Sequence, residues 1–420
     1  GHEGDAGSPL MSRTPRLLAT VAAAMGILAA TASAAPDRVV PEPGFVVTPF
    51  AHTGGTPTSL AFGSGDDQNL YVTDGTNGTV LAIPPAGGAP VTFAEGLRTP
   101  LGIVVGRDGS VFVADVEPAR EGPFGLRSYG RVLRLRDTDD DGVADKRNVV
   151  LKDLPNGRHN TNGLAFGPDG MLYVANGNST DDGVEGGEKE VVPWSGSVVR
   201  VSPRAKKVSV TKLPRSALVA HGWRNVYDLA FSPLDATKLF VPMNGTDDAR
   251  QGSTAENPVD PNLEDSDDLL YVTDVDDAKV DDFAFPECLY NLAERGDLKP
   301  YENPNPDVIE RFGKCRKRSV PRPVASFGLH PSANGLAFQT TDAWGEDYVD
   351  DLFVAEWGSL FGQPSGHKVV RVELDESGTK VESLTDFVEM DLPLDLTFHA
   401  DGSMYVADYS GTIFKVTKAV

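Results

Sequence analysis

A three-part pattern recurs along this chain. A short apolar run meets a turn, a second apolar run ends in a carboxylate or amide, and a third run follows. The copies read SLAFGSGDDQNLYVTD, LGIVVGRDGSVFVAD, NGLAFGPDGMLYVAN, YDLAFSPLDATKLFVPMN, NGLAFQTTDAWGEDYVDDLFVAE and LDLTFHADGSMYVAD, anchored on Leu60, Ile103, Leu164, Leu229, Leu336 and Leu396. Third runs follow as GTVLAI, GRVLRL, GSVVRV, DDLLYV, HKVVRV and GTIFKV. Runs of about five residues bounded by Gly, Asp and Pro are strand signals, and the PDG and ADG turns join strands as hairpins. No copy can bury both its faces alone, so the copies must stack. Strand-only repeats of this kind close radially. The expected fold is all-β, a six-bladed β-propeller with four-stranded antiparallel blades, over residues 36–420.

This architecture gathers residues from distant parts of the chain. The innermost strand of each blade starts at one mouth of the central channel, and the antiparallel second strand returns to it. Five residues before each anchor lie Gly55, Arg98, His159, Arg224, Pro331 and Asp391. The next positions hold Thr56, Thr99, Asn160, Asn225, Ser332 and Leu392. The second strands end at Asp74, Asp115, Asn176, Met243, Glu356 and Asp408. A polar ring round a hole is a natural ligand site. Taken singly, each position reads more simply as a loop polar capping a turn. His159 with Arg224 and Asn225 on adjacent blades is the combination expected to be functional.

Composition adds the compartment and excludes some partners. The net charge of -23 disfavours nucleic acid and anionic membranes. Met11 to Ala35 has the form of a secretory signal: Arg13 and Arg16, an apolar stretch from Leu17 to Ala30, then Ala32-Ser33-Ala34. The apolar stretch is too short for a stable membrane span. Residues 1–10 have no evident role. The expectation is a secreted or extracytoplasmic protein, whose only two cysteines, Cys288 and Cys315, form one disulfide.

One loop has the chemistry of a calcium site. In DTDDDGVAD, Asp137, Asp139 and Asp141 alternate, Gly142 permits a sharp turn, and Asp145 closes the set. Hard oxygens at this spacing, with the Val143 carbonyl, suit a structural calcium ion. The context is not that of an EF-hand, and the loop follows a third strand, away from the mouth. The bland alternative is a solvated acidic turn.

The segments LPNGRHNTNGLAFGPDGMLYVANGN and HGWRNVYDLAFSP resemble the glucose/sorbosone dehydrogenase family. So do DDLLYVTDVDDAKVDDFAFPEC and DLFVAEWGSLFGQPSGHKVVRVEL, and the similarity spans most of residues 55–417. The resemblance implies a six-bladed propeller with pyrroloquinoline quinone (PQQ) over the channel mouth and calcium beside it. It implies that His159 is the general base on a sugar or related alcohol, and that an electron acceptor reoxidises the cofactor. Arg224 and Asn225 match cofactor-holding residues, with Arg98 and Asn160 beside them, and Asn244-Gly245-Thr246 lies where carbonyls hold the cofactor calcium. Three stretches differ, the first being Val226-Tyr227, which follows Arg224-Asn225 where the family motif has a proline. Glu356 stands where the glucose-oxidising branch has a fifth-blade lysine, and Asp391-Leu392-Pro393-Leu394 replaces its sixth-blade arginines.

Two other readings remain open. One is a non-catalytic ligand- or partner-binding propeller, with Tyr227, Trp223 and Trp357 filling the mouth. The other is a calcium-dependent lactonase-type hydrolase with Glu356, Asp74, Asp115, Asn176 and Asp408 as channel ligands.

Overall fold

The structure is a computed structural model that describes residues 39–122, 125–180, 194–246, 266–292, 299–358 and 365–419. The leader reading of residues 11–35 lies outside these. Each repeat forms one blade. Blade 1 runs outward through Pro57–Phe62, Leu70–Asp74, Thr79–Ile83 and Val91–Ala94. The second strands of blades 1, 3, 5 and 6 (Leu70–Asp74, Leu172–Asn176, Leu352–Glu356 and Met404–Asp408) are buried at every residue. Neighbouring blades cover both faces of each, which is why these strands read as unbroken apolar runs rather than alternations.

The apolar core is divided among the gaps between blades. One cluster joins Leu60 and Leu70 of blade 1 to Tyr405 and Ile413 of blade 6. Others couple blades 1 and 2 through Tyr71 and Ile103, and blades 5 and 6 through Phe353 and Val406. Register matters here, because a one-residue slip would turn each apolar face outward.

Four antiparallel strands is the basic blade, and three blades carry more. Val40–Pro41 adds an antiparallel fifth strand to blade 5. Val208–Ser209 and Asp281–Asp282 add parallel strands to blades 2 and 3. Such coverings hide outer edges that would otherwise pair with other chains. In blade 4 the innermost strand is broken into Asn225–Val226 and Ala230–Phe231. The ring is closed by sequence-distant strands: Phe45–His52 forms the outer strand of blade 6, against Thr412–Lys418.

The Cys288–Cys315 disulfide is present in the segment between the third and outer strands of blade 4. That segment also holds one short α-helix, Pro306–Phe312, capped by the Asn305 side chain. Among the described residues no helix is long and apolar enough to cross a membrane.

Candidate functional site: the channel mouth

The mouth is built from loops that enter inner strands and residues that end second strands. Most of its acids are structural. Asp74 Oδ1 accepts the backbone N–H groups of Thr56, Thr76 and Asn77. Asp115 takes the N–H groups of Arg98 and Thr99 and pairs with the Arg131 guanidinium. Asp408 takes those of Leu392 and Ser410. Asn176 binds the Thr161 hydroxyl at 2.8 Å. Each side chain therefore fixes the loop entering its own blade, the capping role that short polar side chains perform in turns. Arg98 is exposed and is held there through its backbone.

His159 and Asn225 do come together, and Arg224 joins them through its backbone carbonyl. A side chain at Gly177 would collide with both the His159 Cβ and the Asn225 Oδ1, so only glycine lets these two groups approach. The His159 Nδ1 donates to the Asn178 carbonyl at 2.9 Å. A carbonyl only accepts, so a neutral imidazole in this position carries its lone pair on Nε2. The Asn178 N–H in turn donates to the Arg224 carbonyl at 2.6 Å, tying the histidine loop to the arginine. Asn160 sits beside this loop and its carbonyl accepts the Gly177 N–H. Asn225 accepts from Asn162 and donates to Asn244, and Asn244 donates to the Ala333 carbonyl. A continuous amide relay thus runs across blades 3, 4 and 5.

The turn at Asn244-Gly245-Thr246 is differently engaged from what the resemblance implies. The Gly245 carbonyl accepts from the buried Arg224 guanidinium at 2.6 Å, and the Thr246 carbonyl accepts the Ser266 N–H at 3.2 Å. The Gly245 carbonyl thus already has a cationic donor. Repulsion between two cations at such range argues against a metal on this turn. Trp223 is fully buried and stacks on Phe283 with ring centroids 4.3 Å apart.

Tyr227 does fill the channel. Its hydroxyl donates to the Thr58 carbonyl at 2.8 Å, so the ring spans from blade 4 to blade 1 on the opposite side. Burial and the nearby acids Asp395 and Asp228 push its pKa well above 10. On the far side of this bar lies a cavity of 820 Å³ lined by inner strands of all six blades. It contains Asp228 and Asp395, both with raised pKa values because they are buried. Asp228 accepts the Leu336 N–H and Asp395 the Leu60 N–H, each bridging to the next blade.

Glu356 breaks the capping rule of the ring. The N–H groups capped in blades 1 and 6 belong to Thr56 and Leu392, and their counterpart here is Ser332; the Ala333 N–H, at a position that is proline in blades 1 and 6, is bound at 2.7 Å by Asp268 of blade 4. Asp268 also holds the Gly245 N–H and faces the His330 Nδ1 at 3.1 Å. Glu356 is only 2% exposed, and among the described residues its carboxyl makes no hydrogen bond. The Lys368 ammonium stands 3.9 Å away. Burial, the first cause, outweighs that lysine and raises the Glu356 pKa to about 8. The fifth blade therefore does have a mouth cation, on its third strand, where matching motif positions alone could not find it.

The acidic loop lies between the third and outer strands of blade 2, at the opposite end. Its Ala144 N–H donates to the Phe93 carbonyl of blade 1. One carboxylate oxygen from each of Asp137, Asp139 and Asp145 lies within 4.8 Å of the others. Asp141 stands outside this group; it accepts the N–H of Val143. Asp141 raises the pKa of Asp139, while Lys146 and Thr138 lower that of Asp145.

With this geometry in hand, the relatives by structure are informative. The holo form of the pyranose dehydrogenase PQQ domain from Coprinopsis cinerea matches with a TM-score of 0.69 at 15% identity, covering 91% of this chain and 98% of that one. A calcium structure of Trichoderma reesei Carbohydrate-Active Enzymes Family AA12 gives 0.68 at 15% identity, covering 91% and 97%. The PQQ-bound aldose sugar dehydrogenase from Streptomyces coelicolor gives 0.60 at 18%, covering 90% and 99%. The fold is thus the six-bladed propeller seen in PQQ-dependent sugar dehydrogenases, as the motifs suggested. No curated protein matches the sequence. Residues 90–415 match the family described as Domain of unknown function (DUF7133), and the chain belongs to that family.

Proposed function

We propose that this chain is an exported dehydrogenase that uses PQQ to oxidise a hydroxyl of a sugar or related alcohol at the channel mouth. The observation that carries this reading is the approach of His159 and Asn225 at Gly177, with the Arg224 carbonyl tied to the histidine loop. A cation, an amide and an imidazole of fixed tautomer form the donor set that an anionic quinone requires. Glu356 does not oppose it near neutral pH, since its raised pKa keeps it protonated. Arg224 and Asn225 would hold the cofactor, and Arg98 and Asn160 flank it. When bound, the quinone supplies the two-electron acceptor for the substrate hydride. His159 Nε2 takes the hydroxyl proton as the C–H bond breaks, so the alcohol leaves as a carbonyl compound. An external electron acceptor completes the cycle.

The turn at Asn244-Gly245-Thr246 does not fit a cofactor calcium, and no step is assigned to one there. Calcium is proposed for the loop of Asp137, Asp139 and Asp145 alone, as a structural ion between blades 1 and 2. The lactonase-type reading loses four of its five ligands, because Asp74, Asp115, Asn176 and Asp408 serve as caps. A partner-binding propeller is the second reading. It is favoured by the Tyr227 bar and by Trp357 and Tyr409, which pack edge to face at 5.5 Å.

The test is titration of the purified protein with PQQ, followed by absorbance and by dye reduction with a panel of aldoses and alcohols. Saturable binding with turnover is expected, and His159→Ala should bind the quinone but turn over at least about a hundredfold more slowly. Turnover unchanged in that variant would remove His159 from the chemistry, and no quinone binding would leave the second reading.

A further inference from the structure

Alternate residues of the inner strands face the channel in layers. One position past the anchors stand Ala61, Val104, Ala165, Ala230, Ala337 and Thr397, none larger than valine. All six are partly exposed, although their strands are the innermost of the ring. All but Ala230 line the 820 Å³ cavity beyond the Tyr227 bar. Small side chains at this level keep the channel open there. The volume falls within the roughly 300–1,000 Å³ of small-molecule sites.

One position before the anchors, the layer reads Ser59, Gly102, Gly163, Asp228, Gly335 and Asp395. Its two carboxyls come from blades 4 and 6 and converge on blade 5 between them. Asp228, in the break of the blade 4 inner strand, accepts the Leu336 N–H at 3.2 Å. A Cβ on Gly335 would stand 2.1 Å from the Asp395 Oδ1, so glycine at this position is what admits that carboxyl. Asp395 also accepts the N–H groups of Leu60 and Leu396. An ionised carboxyl has about four acceptor sites, more than these backbone groups occupy. Both side chains line the cavity. Burial raises both pKa values, and at Asp228 the Asp395 charge adds to this; no basic group offsets it. The arginines of the cavity stand at its outer rim: Arg107 and Arg204 are exposed, and Arg134 is tied to Asp108 and the Ser110 hydroxyl.

Two carboxyls that converge in an enclosed space with no counter-charge repel each other and lose hydration. A cation between them removes both costs. A bare ion would leave most of the volume unfilled, whereas an ammonium on an apolar body uses the carboxyls and the alanine-rich wall together. We propose that the channel beyond Tyr227 binds an organic amine, its ammonium held between Asp228 and Asp395 and its apolar body along the layer of Ala61, Ala165 and Ala337. This site lies across Tyr227 from the mouth and does not depend on the dehydrogenase reading.

The experiment is calorimetric titration of the full chain near neutral pH with n-hexylamine, which is protonated there as a lysine side chain is, and with n-hexanol as its uncharged counterpart. Hexylamine should bind saturably, and at least about tenfold more tightly than hexanol. Asp228→Asn/Asp395→Asn keeps acceptors for the backbone N–H groups and should lose at least about tenfold in hexylamine affinity. Ala337→Leu leaves both carboxyls in place and fills the volume two residues along the strand from Gly335. It should melt cooperatively, as the wild type does, and lose hexylamine binding. No saturable binding by the wild type overturns the proposal. Hexanol bound as tightly as hexylamine does so too, because the carboxyls would then recognise nothing. Undiminished hexylamine binding in either variant also overturns it.

Discussion

Replacing Phe45 by alanine tests whether the N-terminal strand truly closes the ring. Phe45 begins that strand, paired with Lys418 at the other end of the chain. Its ring is 6% exposed and meets Trp344, Phe387 and Tyr348 edge-on, with centroids 4.9, 4.8 and 5.4 Å away. Truncating a buried Phe costs about 3–5 kcal/mol. Three aromatic partners, each worth about 0.5–1.5 kcal/mol beyond buried area, place this site at the upper end. An unfolding entropy of about 2.1 cal/mol/K per residue gives roughly 0.8 kcal/mol/K for a propeller of this size. The expected fall in Tm is therefore about 5–6 °C by differential scanning calorimetry. Val46→Ala, at a position 43% exposed on the same strand, is the control and should move Tm by less than about 1 °C. A Phe45→Ala variant melting within about 1 °C of wild type would mean that the strand is an appendage and that the ring closes without it.

Three further outcomes follow from the same structure. The Glu356 pKa is raised from 4.5 to about 8, so folding favours its neutral form. Its contribution is intact below about pH 4.5 and declines by up to about 1.4 kcal/mol per pH unit as pH rises to 8. Glu356→Gln should flatten that part of the stability–pH curve, and a wild-type slope retained in the variant refutes the assignment. Reduction of Cys288–Cys315, which closes a loop of 27 residues' separation, should cost about 3.5 kcal/mol in a denaturant melt; an identical midpoint with reductant would show that the loop contributes nothing in the unfolded chain. Calcium at a hundred times its Kd should stabilise by about 2.7 kcal/mol, roughly 3 °C here. That shift should vanish in Asp137→Asn/Asp139→Asn; a shift surviving in the double variant places the ion elsewhere.

The repeat was legible because the channel walls demand it. A second strand covered on both faces must be apolar throughout, so LYVTD, LYVAN, LFVAE and MYVAD stand out whatever the loops between them do. The parallel edge strands Val208–Ser209 and Asp281–Asp282 were not legible, since two-residue pairings have no period to detect. Closure by Phe45–His52 was hidden for another reason: its partner lies at the far end of the sequence, and only ring geometry brings them together. The His159–Arg224–Asn225 cluster could be read from motif positions, but the part of Gly177 in permitting it could not.

The mouth acids show where positional reasoning stops. Counting along each strand puts Asp74, Asp115, Glu356 and Asp408 at one level, and by count alone they form one ring. What separates them is side-chain length and backbone supply. An aspartate can fold back onto the N–H groups of its own entering loop, and three of these do. In blade 5 the loop carries His330 and Ser332 at positive φ, and Asp268 of blade 4 takes the N–H of Ala333, which stands where blades 1 and 6 have Pro57 and Pro393 and so no N–H at all. Glu356, one methylene longer, makes no hydrogen bond to its entering loop among the described residues. The backbone hydrogen bonds of Asp74, Asp115 and Asp408 assign those three to the fold, so a ring of four acids by count is, by chemistry, three caps and one buried carboxyl beside Lys368.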